Sequence, residues 1–586
     1  MTSRTDWFCV GKASTFINLE SEHRGGQEET GLEGRCKAFT IPASGQQAAA
    51  ERADGETGDV QREVLVFSYR GRIHAMNHSC PHSSFPLSRG SVFDIEDFGV
   101  VLSAGVTCAK HGWSFDLFSG RGDRGNYSLC LWDVDLRGDE GADREAIEVN
   151  VDDEGSLKSA AGTAAFGLMK YYTGNNTGDT PGNLPSPYYW WTAGAMFGTI
   201  IDYWFLTGDS SYNEATKQAI VHQAADTKDF MPKNQTRTEG NDDQGFWAMT
   251  AMTAAENKFP DPPADKPQYL ALVQAVFNQY VQRWDVDDCG GGLRWQIFSF
   301  MNGFNYKNSI SNGCFFNIAA RLARYTGNST YADWANKIFE WEQQVGLISP
   351  QFDVFDGITI GADKQCHNLD NAQWSYNAGI HLEGAAAMFD VTKSETWKTR
   401  RDGLLRESLS RFSKDQVLFE QFCEPVRRCN NDQQSFKGFM ARWLASTVKL
   451  APETADSIMP VLRATAQAAA ASCVGSTAPG PPPAGFNGQP GTACGFGWQQ
   501  KGFDGITGVP PQMNAVAALI YPLAQKAKAP VTGKAGGTSK GDPNAGSQQR
   551  DPTALKPITA GDRAGAGFLT LFMVAGSLGF STFLVI

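Results

Sequence analysis

The sequence predicts a multidomain chain, a small all-β domain followed by an all-α toroid, and three observations carry that expectation. At 586 residues the chain is too long for one ordinary core. Up to about Val151 its apolar residues come in short runs broken by Gly and Asp, the pattern of strands and turns. From about Gly155 the apolar period lengthens to that of helices.

In the first part the strand candidates are Val64-Leu65-Val66-Phe67-Ser68-Tyr69, Val100-Val101-Leu102 and Ser114-Phe115-Asp116-Leu117-Phe118. In the second, Val273, Val276, Phe277, Tyr280 and Trp284 share one helical face, as do Trp334, Ile338, Trp341 and Val345. Further helices are expected near 192–206, 250–257, 315–324, 378–389, 436–448 and 458–472. Long polar loops rich in Gly and Asn separate them, which suggests paired helices wrapped into a toroid with a groove at one end. The Pro/Gly-rich stretch 475–492 lies between Cys473 and Cys494, and a bridge there would close it. The expected segments are 1–151, a β domain; 152–526, the helical domain; 527–566, a disordered Gly/Ser/Pro-rich stalk; and 567–586, a hydrophobic terminal signal.

Composition narrows the partners. A formal net charge of −12 argues against nucleic acid, which demands a basic surface. With 15 Trp, 15 Tyr and 37 Phe, an acidic chain suits a neutral glycan. Five of the eight His (His23, His74, His78, His82, His111) fall in the first quarter, and seven of the twelve Cys (Cys289, Cys314, Cys366, Cys423, Cys429, Cys473, Cys494) fall far downstream. The first group reads as metal chemistry and the second as a disulfide set with one Cys left over, which needs an oxidising compartment. Cys423 and Cys429 suit a local bridge, and sequons at Asn175, Asn234 and Asn328 fit the same route.

The first twenty residues hold no apolar core, so they are not read as a secretory leader. Residues 567–586 are apolar, follow small residues and a short spacer, and match a GPI-attachment signal, with a membrane-spanning helix as the competing reading. That gives a membrane link through a lipid anchor at the cell surface.

Two constellations carry chemistry. Cys80-Pro81-His82 and Cys108-Ala109-Lys110-His111-Gly112-Trp113 present two thiolates and two imidazoles, a set that suits a [2Fe–2S] cluster with the imidazoles on one iron. Zinc also accepts two Cys and two His, although the C-x-H half is tight for it. With the following Gly-Trp-x-Phe-Asp, these residues resemble the Rieske family. The resemblance implies that Cys80 and Cys108 hold one iron and His82 and His111 the other. The interval between the pairs is long for the family, as if 90–104 carried an excursion, and His74 and His78 read as surface or loop residues. No set of two His and a carboxylate for a mononuclear iron is found downstream, where only His222, His367 and His381 remain, so an electron carrier with an unknown redox partner is expected.

The second constellation is the adjacent pair Asp242-Asp243, since glycosidic bonds are cut between two acids. The competing reading is a cap on a helix beginning near Phe246. Candidate sugar-stacking residues are Trp190, Trp191, Trp247, Trp295, Trp374 and Tyr376, and Asn308, Asn312, Asn377 and Asp504 are candidates for hydroxyl contacts. The phrases Tyr188–Gly194, Glu239–Trp247, Gly290–Gln296, Lys307–Gly313 and Gln373–Gly379 together resemble glycoside hydrolase family 76, the fungal GPI-anchored endo-α-1,6-mannosidase-like proteins. That resemblance implies an (α/α)6 barrel that needs no cofactor and a retaining mechanism, Asp242 as nucleophile and Asp243 as acid/base. Mannan or a GPI-anchor glycan would be the donor, and water or β-glucan the acceptor.

The leading expectation is therefore an α-1,6-mannosidase or transglycosidase behind a Rieske-like domain. The alternative is an electron-transfer protein whose helical part is a non-catalytic glycan-binding scaffold. The two parts call for different compartments, and the junction 149–155 reads as two neighbouring genes merged into one chain.

Overall fold

The computed structural model describes residues 18–19, 29–32, 35–40, 51–52, 63–69, 72–97, 100–118, 120–124, 127–132, 134, 150–474, 493–500, 502–548, 561, 563–570 and 572–574. Among these, the first part holds β1 (Asn18–Leu19), β2 (Glu29–Gly31), β3 (Lys37–Thr40), β4 (Glu51–Arg52), β5 (Glu63–Tyr69), β6 (Arg72–Asn77), β7 (Ser91–Asp97), β8 (Val100–Cys108), β9 (Trp113–Asp116) and β10 (Leu131–Trp132). One sheet runs β10-β6-β5-β3-β4 with β1 beside β5, and the other runs β2-β7-β8-β9. Strand β5 is buried along its whole length because its two faces serve two cores. Leu65, Phe67 and Tyr69 pack with Leu87, Val106 and Phe115, while Val64 and Val66 pack with Phe39.

The excursion expected over 90–104 is the β7–β8 hairpin, paired from Ser91↔Thr107 to Asp97↔Val100. One expectation is corrected here: His74 and His78 are buried. His74 lies in β6 opposite Phe67, and just past β6 the His78 ring nitrogens reach the Glu63 carboxylate and the Ser88 hydroxyl, each at 2.7 Å. Strand pairing draws these rings inward, which local sequence does not reveal.

The second part is built from α1 (Glu154–Met169), α2 (Trp190–Thr207), α3 (Asn213–Gln223), α4 (Asn241–Glu256), α5 (Tyr269–Arg283), α6 (Ser309–Thr326), α7 (Ser329–Val345), α8 (Ser375–Thr392), α9 (Glu395–Phe412), α10 (Phe436–Leu450), α11 (Ala455–Ala471) and α12 (Val509–Ile520). The even-numbered helices touch in a closed ring, α2-α4-α6-α8-α10-α12-α2, with the odd ones outside. This is a helical (α/α)6 barrel, as expected. Because successive helices reverse direction, every inner helix starts at the same end. The long connections, 170–189, 224–240, 284–308, 346–374, 413–435 and the described residues between α11 and α12 (472–474, 493–500 and 502–508), therefore gather there, and the return turns at the other end are short. A three-stranded sheet, β11 (Tyr306–Asn308), β12 (Gly357–Ile360) and β13 (Cys366–Asp370), joins two of those connections.

A repeated glycine draws the inner ring tight just below that end. Gly194, Gly245, Gly313 and Gly379 are each the fifth residue of their helix. A Cβ on them would come within 2.9 Å of Trp247, 2.6 Å of Cys314, 2.7 Å of Ile380 and 2.7 Å of Trp443, respectively. Each contact lies on the next inner helix or the one beyond it in the ring, so side chains larger than hydrogen would force the helices apart.

Three disulfides tie the loops: Cys289–Cys366, Cys423–Cys429 and Cys473–Cys494, with Cys314 left unpaired. The sequons Asn175, Asn234 and Asn328 are all exposed. The stretch expected to open a disordered stalk differs from expectation, because residues 530–547 form a strap on the barrel. Its backbone is held by Arg324 at Pro530 and Val531, by Asn278 at Pro543 and Ala545, and by Gln282 at Gly546 and Ser547. A Gly/Ser-rich segment has little to bury, but it offers carbonyls that long polar side chains can grip.

Candidate active site and Cys/His centre

Helix α4 begins at Asn241, five residues before the expected start, so Asp242 and Asp243 occupy its first turn. Asp243 does cap the helix: its Oδ2 accepts the Gly240 N–H at 2.6 Å. Asp242 Oδ2 accepts the Trp295 Nε1–H at 3.1 Å, while its Oδ1 is buried with no hydrogen-bond partner. Gly240 makes room for that free oxygen, since a Cβ there would stand 2.3 Å from Asp242 Oδ1. The loop carrying Trp295 is pinned to the helix start by Asn241 N–H to Trp295 C=O at 2.9 Å and Asn241 Nδ2 to Arg294 C=O at 2.8 Å.

The electrostatics suit paired acids. Burial first, and then the Asp243 charge, push Asp242 well above the usual carboxylate range, with the backbone N–H groups of Asp242 and Asp243 and then the Trp295 N–H pulling the other way. Burial pushes Asp243 up to about 7, opposed by the Gly240 N–H and reinforced by the Asp432 carboxylate. Like charges this close do not both ionise, so the pair holds a proton near neutrality.

The other expected residues divide into three sets. Trp295 stands at the pair, 36% exposed and touching Asp242, while Tyr376 stacks on Phe436 at 3.7 Å, where the Asp356 charge and then the Asp242 charge reach it. Trp191 donates to Asp432, and Trp374 and Asn377 to Asp356. The Asn377 side-chain oxygen is buried and unpartnered. The third set is structural. Trp247 is fully buried among Trp190, Phe197 and Phe230, leaving no face for a sugar. Trp190 is tied to Gln223 at 2.7 Å. Asn308 caps α6, Asn312 holds both backbone groups of Leu293, and Asp504 accepts three backbone N–H groups of its own loop.

Sequence reasoning missed Glu239, Asp356 and Asp432. Glu239 is 1% exposed and neither carboxyl oxygen has a hydrogen-bond partner; burial and then the Asp243 charge raise it, with Arg283 opposing. Its place one residue before the Gly240 cap was the available signal. Asp356 and Asp432 lie far along the chain, with no local motif to mark them.

In the sheet part, the two Cys/His pairs sit on loops of the same build. Ser84 N–H reaches Cys80 C=O at 2.8 Å and Gly112 N–H reaches Cys108 C=O at 2.9 Å, with Ser84 and Gly112 both left-handed at φ 51° and 65°. Cys80 and Cys108 are buried, and Ser83 Oγ lies 3.7 Å from the Cys108 sulfur. The His82 and His111 ring centroids are 5.1 Å apart, and His82 stacks on Trp113 at 4.2 Å. His82 Nδ1 is buried without a hydrogen-bond partner, as a nitrogen awaiting a metal would be. Burial works against charge on Cys80, but hydrogen bonds from the Ser83 side chain and from the His82 and Ser83 backbone hold its thiol below the ordinary value. Among the described residues no group of three or more His, Cys, Asp and Glu gathers for a single ion. A cluster with two protein ligands per iron does not ask for one, so the residues fit it.

Comparison with known proteins matches both parts of the chain to families. Residues 156–534 match Glycosyl hydrolase family 76, and residues 40–128 match the Rieske [2Fe-2S] domain. The mannan endo-1,6-alpha-mannosidase DCW1 of Saccharomyces cerevisiae is 46% identical over 429 residues, 72% of this chain and 92% of that one. The mannan endo-1,6-alpha-mannosidase DFG5 of Candida albicans is 39% identical over 444 residues, 74% of this chain and 94% of that one. The crystal structure of Dfg5 from Chaetomium thermophilum in complex with glucosamine superposes with a TM-score of 0.64 at 45% identity, covering 68% of this chain and 98% of that one. With a match across most of its length, closely related full-length chains and a shared helical barrel, the chain belongs to glycosyl hydrolase family 76.

Proposed function

We propose that the barrel is a retaining endo-acting α-1,6-mannosidase or transglycosidase, working on mannan or a GPI-anchor glycan. The observation that carries this reading is the placing of both acids in the first turn of an inner helix at the loop end of the barrel, Asp242 against the exposed Trp295 and Asp243 keeping its proton up to about 7. In the first step the Asp242 carboxylate attacks the anomeric carbon while Asp243 gives its proton to the departing glycosidic oxygen, leaving a mannosyl ester on Asp242. In the second, Asp243 as carboxylate takes a proton from the acceptor hydroxyl, which attacks the same carbon and frees Asp242. Water as acceptor gives hydrolysis; a sugar such as β-glucan gives transfer. Trp295 offers an exposed indole face and steadies Asp242, Tyr376 lines the site, and Asn377 offers a buried amide oxygen to a hydroxyl. No cofactor is required.

In the sheet domain, Cys80 and Cys108 would hold one iron and His82 and His111 the other of a [2Fe–2S] cluster. When bound, the cluster supplies one-electron transfer to a redox partner. The chain's own contribution is hydrogen bonding to the Cys80 sulfur and the Trp113 ring against His82. The apolar end of the sequence supports a lipid-anchored place at the cell surface, although among the described residues no helix is long and apolar enough to cross a membrane.

The test is proton NMR of freshly cleaved α-1,6-mannan. The first-formed product retains the α anomer; initial release of the β anomer overturns the double displacement.

A further inference from the structure

Helix α5 returns from the far end of the barrel to the catalytic end, where Arg283 binds Asn241 and Gln244 at the start of α4. The strap follows it. Val531 N–H bonds Glu256 C=O at the far end of α4, Ser539 receives the Leu270 N–H at the start of α5, and Asp542 N–H meets Gln274. Gln282, next to Arg283, grips Gly546 and Ser547. The strap therefore climbs the whole barrel wall and releases the rest of the chain beside the catalytic mouth. That remainder ends in the uncharged apolar run 567–586, whose described residues Phe568, Leu569 and Phe572 are 66%, 69% and 76% exposed.

The mouth itself carries the barrel's exposed apolar surface. Among the described residues of 150–548, the exposed large hydrophobics are Tyr189, Val286, Trp295, Phe300, Leu369, Val391, Phe422 and Val426. All but Val391 lie on the connections that precede inner helices, which is the catalytic end. Trp295 belongs to the acid pair, but the others do not touch it in any recorded contact, and Phe298 and Phe300 stack on each other at 5.4 Å. Apolar side chains confined to one end of a soluble barrel mark a contact surface, and aromatic rings suit the boundary between lipid headgroups and acyl chains.

We infer that the catalytic rim is a lipid-docking face: the strap leaves the barrel at the mouth and so brings the membrane link of the chain's C-terminal end to that side, and Tyr189, Val286, Phe300, Phe422 and Val426 seat the mouth on the bilayer that holds the link. The active site then faces the membrane surface instead of the medium beyond it. A short tether raises the local lipid concentration at the rim, so each side chain need contribute only weakly. The inference goes beyond the glycosidase reading, and its failure would leave that reading standing.

The experiment uses the full chain bound to vesicles of phosphatidylcholine and phosphatidylserine, with photoreactive benzoylphenylalanine replacing Phe300, Phe422 or, at the far end, Val391. Expected are lipid adducts from positions 300 and 422 several-fold above those from 391. Equal yields at all three positions would mean that the tail tethers the barrel without a preferred face, and the inference fails. It fails equally if added α-1,6-mannotriose, and not lipid, is captured at 300 and 422. Hydrogen exchange on the unsubstituted chain gives an independent reading: vesicles should slow exchange in 284–308 and 413–435 and leave 257–268 unchanged, and the reverse pattern overturns the proposal.

Discussion

The acid pair of the barrel and the Cys/His quartet of the sheet domain place polar groups in poor solvent for opposite ends. In the barrel, burial and like charge keep a proton on Asp242-Asp243, although the backbone N–H groups of Asp242 and Asp243, the Trp295 Nε1–H and the Gly240 N–H all oppose it. In the sheet domain, hydrogen bonds around Cys80 outweigh burial and favour the thiolate that a metal needs. In one site burial outweighs the donors and an acid stays an acid; in the other the donors outweigh burial and a ligand stays charged. The difference teaches that burial alone does not set the chemistry. The ratio of donors to buried charge does.

The sharpest break of the comparison is to disable each site alone. Asp242→Asn should lower α-1,6-mannan cleavage by at least about 10³-fold, as loss of a nucleophile does elsewhere, and leave any iron–sulfur absorption intact. Cys108→Ser should abolish iron content and the visible absorption of iron-loaded protein while mannan cleavage stays unchanged. Loss of both properties in either variant would show that the two parts are coupled.

A subtler break is steric. Gly240→Ala places a methyl carbon 2.3 Å from Asp242 Oδ1, so that carboxylate must turn. Because a displacement of about 1 Å costs on the order of 10²-fold in rate, kcat should fall by about that factor while the thermal midpoint moves little; an unchanged kcat would mean that the Asp242 carboxylate does not act in this orientation.

The smallest effect concerns pH. Cleavage should decline as pH rises past about 7, where Asp243 loses the proton it donates. Trp295→Phe removes the N–H that favours the Asp242 anion, so the Asp242 pKa rises further and the nucleophile stays protonated to higher pH. The acid limb of kcat/KM should therefore move upward by a fraction of a unit with a few-fold loss in rate. A downward move would contradict the assignment.

Much of the fold was legible because helix faces repeat locally. Val273, Val276, Phe277 and Tyr280 lie in α5, and the strand runs around Val64 and Ser114 lie in β5 and β9. Helices α1, α3, α9 and α12 were not anticipated; α1 and α12 lean on small Ala side chains, and α9 is strongly charged, so none shows a clear apolar stripe. Within the site, Trp295 and Tyr376 could be singled out by residue type, but their type did not distinguish them from Trp190 and Trp247, which are core.

By itself the sequence determined the chemistry on offer: adjacent acids, a Cys/His quartet, two structural periods and an apolar end. These are properties of residues close together in the chain. The tertiary structure alone decided which indole faces the acids, that the Asp432 charge reaches Asp243, that His74 and His78 turn inward, and that the strap climbs to the mouth. Each of those depends on contacts between segments tens to hundreds of residues apart, and such contacts are set by helix direction and strand pairing rather than by any local pattern.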